Sequence, residues 1–366
     1  MRLLHTADWH LGKTLKGQNL LEDQKFILDQ ILYIAKEVDA ILICGDIYDR
    51  GVPPVEAVEL FNETLTKFAE RNLPTLIIAG NHDSATRLNF GNKIFERQKI
   101  FITAKIEDNP KNIVLEDNFG EVYFSMIPYF EPGNIKNKFL DENAPRLTSN
   151  AANKIYIDFL RKKIPANKRS VALAHVFLKG GIESESERKF VGGAENVNVD
   201  IFSDYNYIAL GHLHRPQKFY SGSPLKYSFD EANHKKSVTI VDIDGAGNVE
   251  PELIDLKPRR DVKVFKGTFD ELKNIQRTED YVCLKLTERV INVQDKFARI
   301  FPHLLSVEFH LPQNSSTENV SAVTFGEGIS ILDYFTDFFK VQTGEDLNSD
   351  YREAMGNFLT EISKEE

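Results

Sequence analysis

Histidines, aspartates and one asparagine stand at the ends of apolar runs in an order that could build a metal centre. Asp8-Trp-His10 follows the first run, Gly45-Asp46-Ile-Tyr-Asp49 follows AILIC, and Gly80-Asn81-His82-Asp83 follows PTLIIA. His175 ends SVALAH, Gly211-His212-Leu-His214 follows YNYIAL, and His5 lies beside the first motif. Carboxylates, imidazoles and an amide oxygen together suit Mn²⁺, Fe²⁺ or Zn²⁺ rather than Ca²⁺. If Asp8 to His10 is extended, the two-residue period points both side chains the same way, and His212 and His214 follow the same rule. Glycines before Asp46, Asn81 and His212 allow sharp turns and close approach to an ion or a phosphate. Each motif alone is weak evidence, because a strand-end histidine is more often a satisfied core residue. Five such elements, all placed after apolar runs, are hard to explain that way.

These loops can meet only if the runs are neighbouring strands of one α/β sheet, whose strand-end loops converge at one edge. The pattern supplies them. Residues 1–7, AILIC at 40–44 and PTLIIA at 74–79 read as strands, and residues 20–36 and 55–71 between them as helices. The second helix carries Val58, Phe61, Leu65 and Phe68 at helical spacing. From residue 112 the strands crowd together, with a helix near 150–163, so two packed sheets flanked by helices are expected. LKPRRD at 256–261 is a basic connector to a compact α/β unit, too small to be independently stable and so expected to pack on the first. LPQNSSTENVS at 311–321 reads as a linker. Two amphipathic helices follow, with Leu332, Phe335, Phe338 and Phe339 on one face of the first, and Leu347, Tyr351, Met355, Phe358 and Ile362 on the second.

The totals set bounds on this reading. A chain of 366 residues can bury a large core without staples, and no apolar run is long enough to span a membrane. The N-terminal apolar stretch is too short for a signal peptide, which predicts a cytoplasmic location. Cys44 and Cys283 read as separate buried thiols. The net charge of -10 argues against a uniformly basic nucleic-acid binder, but not against a local one.

The ordered set D-x-H, G-D-x-x-D, G-N-H-D, H, G-H-x-H resembles the calcineurin-like metallophosphoesterases. HTADWHLGK, LICGDIYDRGVPP, LIIAGNHDSATRL, SERKFVGGAENV and YIALGHLHRPQ narrow the resemblance to a DNA-nuclease branch of that family. It implies a four-layer sandwich of two mixed sheets between helices over residues 1–257. It further implies a DNA-binding capping domain at 258–311, a linker at 312–325 and a helix pair at 326–366 that docks on a coiled-coil ATPase. Two divalent ions, Mn²⁺ above all, are implied. One would be held by Asp8, His10, Asp46 and His214, the other by Asp46, Asn81, His175 and His212. His82 would protonate the leaving oxygen, with Asp83 orienting it. Asp49 is left outside the ligand set.

Lys13, Lys16, Arg50, Arg87, Arg188, Lys189 and Arg215 lie beside the motifs and are candidate phosphate contacts. The family also implies a homodimer through helices after the G-D and G-N-H-D motifs. The expected activity is metal-dependent exonuclease and endonuclease cleavage of DNA ends and hairpins, in repair and recombination with the ATPase partner. The alternatives are a phosphoesterase of nucleotides or small phosphodiesters, and a non-catalytic DNA-binding scaffold. The extra 100 or so residues beyond the catalytic domain speak against the first. The intact ligand set speaks against the second.

Overall fold

The computed structural model describes residues 1–141, 143–187, 196–310, 331–343 and 346–365. Residues 1–311 form one compact unit and 312–366 a second. The first begins with strand β1 (Arg2–Thr6), a hairpin of β2 (Thr14–Leu15) and β3 (Gln18–Asn19), helix α1 (Leu21–Ile34), β4 (Ala40–Cys44), helix α2 (Val55–Glu70), β5 (Thr75–Ile78) and β6 (Ile100–Thr103). Then come β7 (Ile113–Asp117), β8 (Gly120–Ile127), β9 (Arg169–His175), β10 (Tyr207–Gly211), β11 (Ser237–Ile243) and β12 (Val249–Asp255).

Two mixed sheets result. One has the order β12-β11-β1-β4-β5-β6, with β1, β4, β5 and β6 parallel and β11 antiparallel to β1. The other has the order β10-β9-β8-β7, parallel except for β7. In β4 all five residues are buried, because both faces are covered. Ala40, Leu42 and Cys44 pack with Phe124, Met126, Val171 and Leu173 of the second sheet. Ile41 and Ile43 pack with Ile27, Ile31, Phe61 and Phe68 of α1 and α2. The outer face of the second sheet takes helix Ser149–Arg161 through Tyr156, Ile157 and Leu160. The layers are therefore helix, sheet, sheet, helix, as the sequence pattern predicts.

On α2, Phe61, Leu65 and Phe68 are spent on this core. Val58, read from spacing as part of the same stripe, is 43% exposed and lies off it. The actual stripe is completed by Ala57, Leu60 and Thr64, because the buried arc follows 3.6-residue spacing. Both cysteines are buried and free.

The small α/β part has a parallel sheet of β13 (Val262–Gly267), β14 (Tyr281–Leu286) and β15 (Leu304–Phe309) over its own core, which includes Leu284, Phe297 and Phe301. Val262 and Tyr281 join the main core, and the Tyr281 hydroxyl donates to buried Asp23 at 2.7 Å. The second unit holds helices Ile331–Thr343 and Ser349–Glu365, with Phe338, Tyr351 and Phe358 exposed. Leu347, expected on the second helix, precedes it. The linker at 312–325 lies outside the described residues. Among the described residues no helix is long and apolar enough to cross a membrane.

His5, in the middle of β1, is fully buried between the two sheets. Its Nε2–H donates to the Leu210 carbonyl at 3.0 Å and its Nδ1 accepts from the Tyr207 hydroxyl at 2.9 Å. His5 is thus a core residue and not a ligand. Burial pushes its pKa down to about 4, against the Leu210 bond. The unfolded chain therefore binds this proton first, below its ordinary value of about 6.5. The stability held by neutral His5 is complete above that pH and is lost progressively as the pH falls to about 4, by on the order of 3 kcal/mol. His5→Gln can keep both hydrogen bonds without titrating. Urea unfolding of the variant is expected to show a shallower loss of stability between these pH values than the parent chain. Parallel pH profiles would sink the assignment.

Candidate metal centre

The first three motifs sit at the C-terminal ends of β1, β4 and β5. The loops are laced together by their backbones. Asp8 N–H donates to Gly45 O at 3.0 Å, His10 N–H to Asp46 O at 2.9 Å and Leu11 N–H to Ile47 O at 2.9 Å. Gln24 of α1 clamps the same loop by donating to the His10 carbonyl at 2.7 Å. The period-two expectation fails here. Asp8 (φ 55°), His10 (φ 44°), Asp46 (φ 48°) and His212 (φ 108°) all have left-handed backbone rather than extended. Such conformations cost non-glycine residues about 1–3 kcal/mol each and persist only where the surroundings enforce them. Kinks, not strand alternation, turn these side chains inward.

Close approach explains two glycines. A Cβ on Gly80 would lie 2.1 Å from Asp46 Oδ1, and one on Gly211 would lie 1.8 Å from the Cys44 carbonyl oxygen.

Seven side chains expected as ligands converge, and six of them, all but Asn81, are buried. Asp46 stands in the middle. Its Oδ1 accepts from the His82 N–H at 2.8 Å. Its Oδ2 lies 3.7 Å from His10 Nε2 and 3.4 Å from His175 Nε2. On one side, His10 Nε2 faces His214 Nε2 at 3.0 Å. On the other, Asn81 Oδ1 lies 3.0 Å from His175 Nε2 and 3.1 Å from His212 Nδ1. Asp8 Oδ1 accepts from the His212 N–H at 2.9 Å, while buried Asp8 Oδ2 has no hydrogen-bond partner.

The protons on two of these rings, His175 and His214, are accounted for elsewhere. His175 Nδ1–H donates to the Cys44 carbonyl at 2.9 Å, so in the neutral ring Nε2 presents a lone pair to two oxygens. Ser186 donates its hydroxyl proton to Glu231, so His214 Nδ1–H donates to Ser186 Oγ at 2.6 Å and Nε2 again presents a lone pair. At His175 a lone pair thus faces the Asn81 and Asp46 oxygens and is repelled unless a cation or a proton lies between them. The His214 lone pair takes either the His10 Nε2 proton or a cation. The donor set therefore fits divalent ions, and the orphaned Asp8 oxygen fits them too.

Electrostatics agree. Burial holds His10 and His214 below the ordinary histidine range and brings His212 down to about 3, so these rings are neutral and ready to ligate. His175 differs: burial disfavours its charge too, but Asp46 and Asp8 outweigh it and raise the ring to about 9. A proton therefore stands between its Nε2 and the facing oxygens where a cation would otherwise lie, while burial pushes Asp8 itself well above the carboxylate range. Burial works against ionised Asp46 too, yet His175 and His10 hold it well below the carboxylate range.

The expectation for Asp83 needs correction. Its carboxylate accepts from the backbone N–H groups of Ile47 (3.1 Å), Tyr48 (3.0 Å) and Gly80 (2.9 Å), and so ties two motif loops together. Burial and the nearby Asp46 charge push it up to about 7 despite these amides. What orients His82 is the Asp49 backbone carbonyl, which accepts from Nδ1–H at 2.8 Å. Adjacency in sequence misleads here, because three free amides bid more strongly for the carboxylate than one imidazole. Ligand-type atoms of His10, Asp46 and His82 also lie within 4.8 Å of one another, as do those of Asp8, Asp46 and His175.

Of the candidate phosphate contacts, Lys16, Arg50, Arg87 and Arg215 are exposed. Lys13 is not free, since its Nζ donates to Asp49 Oδ1 at 2.7 Å. Arg188 and Lys189 lie outside the described residues. Sequence reasoning missed Gln24, Ser186, Glu187, Glu231 and Lys236, which hold ligands from behind. Ser186 and Glu187 open SERKFVGG, but nothing in the sequence marks Glu231 or Lys236.

The calcineurin-like phosphoesterase family model matches residues 1–216. The chain belongs to this family. Within it, the chain is 32% identical to the SbcD subunit of nuclease SbcCD from Staphylococcus saprophyticus, over 100% of this chain and 99% of that one. It is 35% identical to the SbcD subunit of nuclease SbcCD from Staphylococcus epidermidis, over 84% of this chain and 85% of that one. These matches place it in the SbcD group of the calcineurin-like phosphoesterases. A solved structure, TT1561 of Thermus thermophilus, aligns with 69% of this chain and 98% of its own at TM-score 0.39 and 13% identity. The family's dependence on divalent metal agrees with the donor set above.

Proposed function

We propose that this SbcD-group phosphoesterase is a two-metal DNA nuclease that acts with the ATPase SbcC on double-strand ends and hairpins. The observation that carries the reading is the position of Asp46 Oδ2, one carboxylate oxygen facing imidazoles of both ligand sets. Asp8, His10, Asp46 and His214 would hold one ion, and Asp46, Asn81, His175 and His212 the other, with Mn²⁺ the favoured metal. When bound, such ions supply charge for a phosphodiester oxygen and lower the pKa of a water. His82 supplies the proton. Its Nδ1–H is committed to the Asp49 carbonyl, so Nε2 is the atom that gives a proton to the leaving oxygen. Lys13 neutralises Asp49 beside it. Lys16, Arg50, Arg87 and Arg215 give the local positive field that a chain of net charge -10 needs to hold a DNA backbone.

Residues 258–311 would guide DNA onto this site, and 326–366 would dock on SbcC. Exposed Phe338, Tyr351 and Phe358 suit an apolar partner face. A homodimer through the surface after the motif loops is supported by exposed Val52, Val55, Phe90 and Ile94. Chain and ATPase would then assemble as a heterotetramer.

The test is cleavage of linear duplex, hairpin and single-stranded DNA beside bis-p-nitrophenyl phosphate, with and without Mn²⁺ and SbcC. DNA cleavage that requires Mn²⁺, and is stimulated by SbcC on duplex ends, is expected. Hydrolysis of the small ester alone would replace the nuclease reading with that of a small-phosphodiesterase. A chain lacking residues 326–366 is expected to keep Mn²⁺-dependent hydrolysis of the small ester and to lose SbcC in a pull-down. Retained complex formation would refute the docking role.

A further inference from the structure

His214 is gripped at three points by residues outside the five motifs. Its N–H donates to Glu187 Oε1 at 2.5 Å, and its carbonyl accepts from Lys236 Nζ at 2.8 Å. Its ring Nδ1–H donates to Ser186 Oγ at 2.6 Å and lies 3.3 Å from Glu231 Oε1. Ser186 in turn donates to the same Glu231 oxygen. Glu231 and Lys236 are 0% and 5% exposed, and they pair at 2.5 Å. Lys236 uses its three donors on Glu231, on the His214 carbonyl and on Ser223 Oγ at 2.8 Å.

A buried charge pair of this kind is a poor device for stability alone, since an apolar pair of similar size often serves as well or better. Its geometry suits a different task. The chain of hydrogen bonds fixes which nitrogen of His214 carries the proton, and so keeps the Nε2 lone pair aimed at His10 Nε2, 3.0 Å away. The other rings are oriented by simpler means, such as the single Cys44 carbonyl behind His175. Among the described residues, His214 is the ligand ring whose far nitrogen is hydrogen-bonded into a buried carboxylate, which also makes its Nε2 a stronger ligand. His10 Nδ1, by contrast, lies 3.7 Å from Asp49 Oδ1, beyond hydrogen-bond distance.

We propose that Ser186, Glu231 and Lys236 are positioning residues for His214, and that they set the affinity of one metal site independently of the other. The inference rests on the two-metal reading above. Its consequence is asymmetry. The ion beside His10 and His214 depends on this relay, and the ion beside Asn81, His175 and His212 does not.

Mn²⁺ alone, titrated calorimetrically into the metal-stripped full chain, tests this. Ser186→Ala removes the hydroxyl link and Ser186→Thr keeps it. The double variant Glu231→Gln with Lys236→Met removes both buried charges together, so neither is left unpaired. Thermal unfolding by circular dichroism establishes that each variant is folded, and Ser186→Ala decides the matter if the double variant is not. Ser186→Ala and the double variant are each expected to bind one ion at parental affinity and the other about 10–100-fold more weakly. Ser186→Thr is expected to restore both sites. Parental affinity for both ions in folded Ser186→Ala would overturn the proposal, as would equal weakening of both sites. A parent chain that binds no Mn²⁺ would instead sink the two-metal reading on which it rests.

Discussion

Asp46→Asn is expected to strip the chain of both bound Mn²⁺ ions at once and to lower cleavage by on the order of 10³-fold or more. The reason is the division of labour between its two oxygens. Oδ1 is held by the His82 backbone N–H at 2.8 Å, so Oδ2 alone faces His10 at 3.7 Å and His175 at 3.4 Å. An amide in this place would lose the negative charge shared by the two ligand sets. It could also direct an NH₂ group at imidazole lone pairs. Charge stabilisation by a bound metal is worth several kcal/mol, and about 4 kcal/mol corresponds to the stated rate loss. Metal content by inductively coupled plasma spectrometry is the check. One ion retained at full occupancy would show that Asp46 does not serve both sites.

His82→Gln is expected to separate chemistry from metal binding. Both ions should remain and the rate should fall by about 10²-fold or more, the usual scale for loss of a general acid. His82 comes within 4.8 Å of ligand atoms on His10 and Asp46, so a ligand role is the competing possibility that the metal measurement addresses. Loss of an ion from the variant would make His82 a ligand. Unchanged turnover with both ions present would remove it from the mechanism. Asp83 gives a useful contrast. Since its carboxylate ties Ile47, Tyr48 and Gly80 together, its removal should perturb the loops before it perturbs the proton transfer.

Much of this architecture is legible in the sequence because burial leaves a pattern. AILIC has no polar residue because β4 is covered on both faces, and its length fixes it as a strand. The sites at the ends of β1, β4 and β5 are legible for the same reason: the apolar runs announce where strands stop. β6 escapes notice because IFIT is short and follows the polar stretch ERQK, so nothing marks its start. The inward turn of Asp8 and His10 is illegible in kind. Aspartate and histidine tolerate left-handed backbone better than most residues, but that tolerance does not mark which ones adopt it, and here the backbone bonds to the Gly45–Ile47 loop impose it. The partner of Asp83 is misread from sequence because contact is decided by three-dimensional competition for donors and not by adjacency. Glu231 and Lys236 fall outside any motif, and a buried ion pair cannot be told from two surface charges until the chain is folded.

Anomalous scattering from a Mn²⁺-loaded crystal addresses the pairing of metals directly. Two peaks about 3.5–4 Å apart are expected. One should lie among Asp8, His10, Asp46 and His214, the other among Asp46, Asn81, His175 and His212, with Asp46 touching both. A single peak, or two that share no carboxylate, would contradict the chemistry assigned to this chain.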